Sequence, residues 1–365
     1  MKKVILILVF VVLTCFPVLV AETLKSVYAG KVFLVDDEGY IFSDYGPHSI
    51  SKYSPEGKHL LLMGRKGEGP GDIRRLGWFA INPLDNVIYV TEFVNGNRWI
   101  SKFSKNGKYL GEWRFDFDWT RYQGLSTIQF DTVGNVYIQA EKTHSGRHKD
   151  VNLGIVEKSI LKFSPQGKQL KEIYKMNIDF FIAKDGKGNL TIPFQNYLSW
   201  LIYKDKIIIR EHYDEFIRVF SLDGAIEKKI SLPFKRQKVT DVDIEEWEEW
   251  LKAFPGVRQS IAEGVLDLKY LKKRMPFPEF KPVSGSQLYS DAHGNLYSAK
   301  ARGFDPTDNI WVRINLESGT QSILKFAPGE KFLGVWKDMF LFSRSVGGYD
   351  TNILKLDEKE LFKKQ

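Results

Sequence analysis

One hairpin signature keeps returning along this chain and limits what it can fold into. It reads Ser-Lys-Tyr-Ser-Pro-Glu-Gly-Lys-His-Leu at 51–60 and Ser-Lys-Phe-Ser-Lys-Asn-Gly-Lys-Tyr-Leu at 101–110. It returns as Leu-Lys-Phe-Ser-Pro-Gln-Gly-Lys-Gln-Leu at 161–170 and, more loosely, as Arg-Val-Phe-Ser-Leu-Asp-Gly-Ala-Ile-Glu at 218–227. Each copy holds an aromatic-bearing strand, a short turn closed by glycine, and a second strand. The glycines Gly57, Gly107, Gly167 and Gly224 stand 50, 60 and 57 residues apart. Strand-rich self-similarity near such a period indicates propeller blades rather than one irregular sandwich.

A second turn signal lies between the copies. Asp131-Thr-Val-Gly-Asn135, Asp185-Gly-Lys-Gly-Asn189 and Asp291-Ala-His-Gly-Asn295 fit the turn between the first two strands of a blade. The 365 residues suit one six-bladed propeller, and 26 Phe, 16 Tyr and 9 Trp supply the core of face-to-face sheets. The unit at 198–232 reads as the fourth blade, with an additional hairpin at 179–195. Glu141–Lys158 reads as a long polar loop. Closure is expected from residues 24–31 pairing with the last blade, which removes exposed strand edges.

The β rhythm breaks at about 240–275. Ile244, Trp247, Leu251 and Phe254 fall on one helical face, and Asp241, Asp243, Glu245 and Glu246 crowd the first turns, where the helix dipole favours them. Pro255-Gly256 stops that helix; Val257, Ile261, Val265 and Leu268 mark a second one. The fold class is therefore all-β: a six-bladed β-propeller with a helical hairpin inserted between blades four and five.

Lys2 and Lys3 precede an apolar run from Val4 to Phe16, and Ala21 can stand at a cleavage site. Residues 1–21 read as a signal peptide, with an uncleaved N-terminal anchor as the alternative; residues 22–365 form the propeller domain. Export to the periplasm or the medium follows. Cys15, the only cysteine, lacks the small preceding residue of a lipidation site. Loss of residues 1–21 leaves 51 basic and 45 acidic residues, a net of +6, interspersed along the chain. That pattern excludes a nucleic-acid partner.

The hairpins, the Asp-x-x-Gly-Asn turns and above all Gly64-Arg-Lys-Gly-Glu-Gly-Pro-Gly-Asp72 together resemble the bacterial exported six-bladed β-propeller family related to NHL repeats. The resemblance covers nearly everything after residue 25. It implies the fold and carries no catalytic residue set.

Blade geometry puts the tight turns on one end, here the lower face, and the longer connections on the other, the upper face. Several residues there are candidates for ligand contact, each with a plainer alternative. Arg65, Lys66 and Arg74 flank the glycine-rich run, whose N–H groups could hold an anion; a tight interblade turn is the plainer reading. Trp119 and Arg121, with Glu112, Trp113, Asp116 and Asp118, could line a sugar or peptide groove or simply pack between blades. His144 and His148 have zinc-like spacing, but Ser145-Gly146 suggests a solvated loop. Arg302 and Asp305, with Asp308, could serve a ligand or calcium, or be ordinary loop chemistry. No serine elbow, zinc-protease helix or cysteine-based site appears. The sequence thus favours an exported, non-catalytic binding or scaffold protein, with no cofactor and with a protein, peptide or carbohydrate ligand on the upper face. A membrane enters only through an uncleaved residue 1–21 segment. The alternative is a metal-dependent hydrolase or lyase with a metal in the central channel, which needs carboxylates or histidines converging from several inner strands. Asp131, Asp185 and Asp291 instead sit at the turn end, where Asp commonly shapes the turn itself.

Overall fold

A computed structural model describes residues 22–24, 33–92, 99–118, 121–122, 124–145, 152–182, 189–190, 193–253, 255–264, 267–274, 277–301, 309–347 and 350–357. The first strand, β1 (Glu22–Leu24), belongs to the last blade. Blade I is β2 (Phe33–Val35), β3 (Ile41–Asp44), β4 (Ile50–Tyr53) and β5 (His59–Met63). Blade II is β6 (Leu76–Ile81), β7 (Val87–Glu92), β8 (Trp99–Ser104) and β9 (Tyr109–Arg114). Blade III has five strands: β10 (Gly124–Phe130), β11 (Val136–Ser145), β12 (Asn152–Phe163), β13 (Gln169–Ile182) and β14 (Asn189–Leu190). Blade IV is β15 (Leu198–Tyr203), β16 (Lys206–Glu211), β17 (Phe216–Ser221) and β18 (Ile226–Ser231). Blade V is β19 (Ser284–Ser290), β20 (Asn295–Lys300), β21 (Ile310–Asn315) and β22 (Gln321–Lys325). Blade VI is β23 (Glu330–Trp336), β24 (Met339–Gly347), β25 (Asp350–Leu356) and β1. All six sheets are antiparallel.

Each blade is sandwiched between two others, so its second strand is apolar on both sides. In β16, Ile208 packs towards blade V while Ile207 and Ile209 pack towards blade III. In β11, Val136, Ile138 and Ala140 join the cluster shared with blade II, and Tyr137 joins the one shared with blade IV. The ring closes where Glu22, Thr23 and Leu24 pair with Lys355, Leu354 and Ile353. The Trp336 indole N–H donates to Asp36 O (3.0 Å) and Lys355 Nζ to Pro55 O (2.7 Å), tying blade VI to blade I. The closing strand thus starts earlier than the expected 24–31, of which 25–31 lie outside the described residues.

Three expectations change in detail. On either side of 146–151, which lie outside the described residues, the 141–158 stretch is strand: β11 and β12 continue, with Lys142 opposite Glu157, Thr143 opposite Val156 and His144 opposite Ile155. Cross-strand charge pairing holds it, including Lys158 to Glu141 at 3.1 Å, so its polarity marks paired strands. The additional hairpin near 179–195 is the end of β13 pairing with β14, Phe181 with Leu190 and Ile182 with Asn189. The helical insertion comprises α1 (Asp241–Ala253), α2 (Pro255–Ala262) and α3 (Leu268–Arg274). The expected second helix divides at Gly264, whose φ of 70° ends α2. Thr240 caps α1 by exchanging hydrogen bonds with Asp243, which Lys281 also grips. No helix among the described residues is long and apolar enough to cross a membrane.

The insertion stands on a two-chain stalk in which Val239 N–H donates to Glu279 O and Lys281 N–H to Gln237 O. Its base grips the loop after β16: Leu232 N–H donates to Glu215 O, Arg236 Nε to Tyr213 O, and Val283 N–H to His212 O. Beneath it lies a buried polar tie between blades IV and V. Arg210 donates to Ser298 Oγ, Gly285 O and Gln287 O, the two carbonyls lying at the irregular start of β19. His212 Nε2 lies 3.0 Å from Ser199 Oγ. Burial, then the charges of Arg210 and Lys158, hold the His212 imidazole well below its ordinary 6.5.

Two of the inner turns account for their own carboxylates, and Asp185 of the third lies outside the described residues. Asp131 accepts the N–H groups of Val133 and Asn135, the Asn135 amide and the Tyr137 hydroxyl. Asp291 does the same with His293, Asn295 and Tyr297. Two predictions follow from these buried groups. Asp291→Ala leaves four donors unpaired and should cost roughly 2–4 kcal/mol in chemical denaturation, where a loss below about 0.5 kcal/mol would remove the turn from this account. Because the His212 pKa is depressed in the fold, its contribution is complete above about pH 6.5. Below that the unfolded chain takes up the proton first, and stability should fall by up to about 1.4 kcal/mol per pH unit. His212→Asn should flatten the profile over that window.

Candidate functional site

The glycine-rich connection between blades I and II is held by its own side chains. Asp72 accepts Arg65 Nε (2.7 Å) and the Gly69 N–H (2.9 Å), and Ile73 N–H donates to Arg65 O. Ile73 is fully buried among the residues shared by the two blades, so it pins the loop to the core. Two glycines are sterically required. A Cβ at Gly67 would fall on the Asp72 carboxylate, and Gly71, at φ 81°, lies against the Tyr109 side chain. Hydrogen bonding to Arg65, then to Gly69, holds the Asp72 carboxyl below its ordinary range. Arg65 and the Gly69 N–H thus already hold an anion, and it belongs to the protein.

This connection roofs a recess of about 250 Å³ on the blade I side of blade II. Gly67–Asp72 and Arg74 form one wall; Glu92, Trp99, Ser101, Tyr109 and Glu112 form the others. Strand alternation puts Trp99 and Ser101 of β8 on this face, and Glu112 stands opposite Ser101 on β9. Glu92, at the end of β7, accepts the Arg74 N–H at 2.9 Å and lies 3.6 Å from its Nε. The Arg114 guanidinium meets Glu112 at 3.1 Å and lies 6.0 Å from the centre of the Trp99 ring. Burial, then Glu112, raises the Tyr109 phenol.

Of the residues singled out in the sequence, Arg65, Lys66 and Arg74 share this connection: Arg65 engages Asp72, Lys66 is exposed, and Arg74 lines the recess. Arg121 and His144 meet elsewhere, on the blade III extension, where both face Glu157, at 3.9 and 3.7 Å. Lys175 binds the same carboxylate at 2.5 Å. Glu172 links Arg121, the Tyr122 hydroxyl and Ser159. Burial, with Glu172, pushes the Tyr122 phenol up to about 12. His144 is therefore a strand residue in an ion-pair network. Trp119, His148, Arg302 and Asp305 lie outside the described residues. Trp113 is core, its indole donating to Pro165 O. Glu92, Trp99 and Tyr109 escaped the sequence reading; the charged end of the apolar run Val87–Glu92 is the signal that could have found the first.

A larger recess, about 500 Å³, opens at the lower end of blade V among Asn295, Arg313, Asn315, Thr320, Gln321 and Ser322. It has no aromatic wall.

Because the folded Asp72 pKa is depressed, the loop keeps its carboxylate clamp above the ordinary 3.8 and loses it as pH falls through the lowered value. Asp72→Asn should reproduce that loosening at neutral pH. Faster hydrogen exchange at the Gly69 and Ile73 amides, with the rest of blade II unchanged, is the expected result.

No family model and no curated protein matches the chain. Solved structures do. A member of the DUF4221 family from Bacteroides vulgatus is 11% identical, with 92% of this chain and 96% of that one covered, at a TM-score of 0.56. A Bacteroides fragilis protein predicted to be exported is 10% identical, with 92% and 94% covered, at 0.49. At 11% identity the DUF4221 likeness speaks for architecture alone, and the six sheets make the chain a six-bladed β-propeller.

Proposed function

We propose that this protein is an exported, non-catalytic binding propeller whose ligand, a protein, peptide or carbohydrate, docks on the upper face. The observation that carries the reading is the difference between the two ends of the ring. The lower turns are short and internally bonded, as at Asp131 and Asp291. The upper end gathers the glycine-rich roof and its recess, the blade III extension and the helical insertion on its stalk. Irregular connections raised on a rigid scaffold are where recognition usually resides.

Export rests on the layout of residues 1–21, and the hairpin motifs favour kinship with the exported family related to NHL repeats. The hydrolase or lyase reading gains nothing from the inner turns, since Asp131 and Asp291 are engaged by their own backbone and tyrosines.

The test is affinity capture from exported fractions by the immobilised chain. Arg74→Gln and a Gly-Ser replacement of 241–274 should each reduce capture. Lys58→Glu and Lys168→Glu, in the lower turns, should leave it intact. The opposite pattern would overturn the reading. So would one tightly held calcium or zinc per chain, accompanied by hydrolysis of a lactone or glycoside probe that a chelator abolishes.

A further inference from the structure

The charge pairing inside the recess narrows its ligand. Each of three carboxylates there already faces a guanidinium: Asp72 with Arg65, Glu92 with Arg74, and Glu112 with Arg114. A cationic ligand would have to displace an arginine, and an anionic one would meet three carboxylates at close range. A neutral ligand meets neither penalty. Paired carboxylates keep lone pairs free to accept hydroxyl hydrogens, and guanidinium N–H groups donate to hydroxyl oxygens in fixed planar geometry. Ser101 adds a hydroxyl, and the polar backbone of Gly67–Gly71 adds further donors and acceptors.

The remaining walls are aromatic. Trp99 is partly exposed and Tyr109 borders the same space, so the recess offers flat apolar surface beside dense polar groups. A pyranose ring has that same division, with C–H faces on the ring and hydroxyls around its edge. The volume of about 250 Å³ is on the scale of one pyranose ring. The lower recess, although larger, has no surface on which such a ring could stack.

We infer that the recess beneath the glycine-rich roof binds a single sugar ring of a neutral carbohydrate. Trp99 and Tyr109 form the stacking walls, Glu92 and Glu112 accept hydroxyl hydrogens, and Arg74 donates. The glycine-rich motif then has a second consequence beyond its turn. With no Cβ at Gly67 or Gly71, the roof lies close enough to shape the recess. This inference rests on the upper face being the binding face.

The experiment uses the purified chain from residue 22 and a panel of neutral hexoses, N-acetylhexosamines and their short oligomers. Binding is read by titration calorimetry and by saturation-transfer NMR; arginine and sulfate serve as cationic and anionic probes. At least one neutral saccharide should saturate, with transfer strongest to ring C–H protons. Trp99→Ala and Glu92→Gln should each weaken it on the order of tenfold, and Arg313→Gln in the lower recess should not. The conservative Glu92→Gln variant guards against a folding defect in Trp99→Ala, and thermal melting of both confirms the fold. Saturation by arginine or sulfate instead, or by no member of the panel, overturns the inference. Should capture by the upper-face variants still fail as described above, the binding-face reading stands without it. Should capture depend on the lower turns, both fall.

Discussion

Burial of both faces of every blade is the constraint on which this molecule depends. A four-stranded sheet alone would leave two apolar surfaces and two open edges in water. The ring solves the first problem by stacking blade on blade. Tyr89, Trp113, Phe130 and Phe163 fill the II–III interface; Trp311, Phe326, Phe332 and Phe342 fill V–VI. Their rings meet mostly edge to face, the geometry that aromatic quadrupoles favour. The last gap is closed by three residues from the other end of the chain, so β1 completes both blade VI and the ring.

Because the stack is rigid, variation is confined to its ends, and the two ends are used differently. Below, Asp131 and Asp291 shape nearly identical turns whose tyrosine hydroxyls bring the carboxylate under the next interface. Above, three departures from the repeat rise from the ring: the lengthened strands of blade III, the insertion after blade IV and the glycine-rich roof over blade II. Each departure is anchored by buried groups. Ile73 pins the roof, Arg210 and His212 stabilise the platform under the stalk, and Glu157 gathers Arg121, Lys175 and His144 on the extension. Buried polar ties of this kind contribute little net stability but fix a unique arrangement, which suits a surface that must present defined geometry.

Much of this architecture could be read in the chain itself. Glycine at a positive φ, an aromatic before it and lysine after it form a local requirement of a tight hairpin, and they recur in sequence as they recur in space. The Asp131–Asn135 and Asp291–Asn295 turns and the apolar face of α1 are equally local, and both stand where periodicity and turn chemistry place them. The third such motif, at Asp185, instead falls between the last two strands of blade III. The 141–158 stretch was misread for a physical reason. A charged stretch of sheet loses the strict alternation that marks a half-buried strand, and its charge pairs lie across strands, where no local pattern shows them.

The candidate site divides along the same line. Local chemistry in the sequence determined the roof: the glycines, Asp72 and the arginines beside them lie within a dozen residues. Only the tertiary structure decided what the roof covers. Glu92, Trp99 and Glu112 come from three strands, and their meeting depends on the register of β7, β8 and β9. It also decided that His144 and Arg121 belong together, because strand pairing brings Glu157 between them. Turns are set by interactions within a few residues and can be read in order along the chain. A site assembled across strands is set by register and by interblade packing, and neither leaves a contiguous trace.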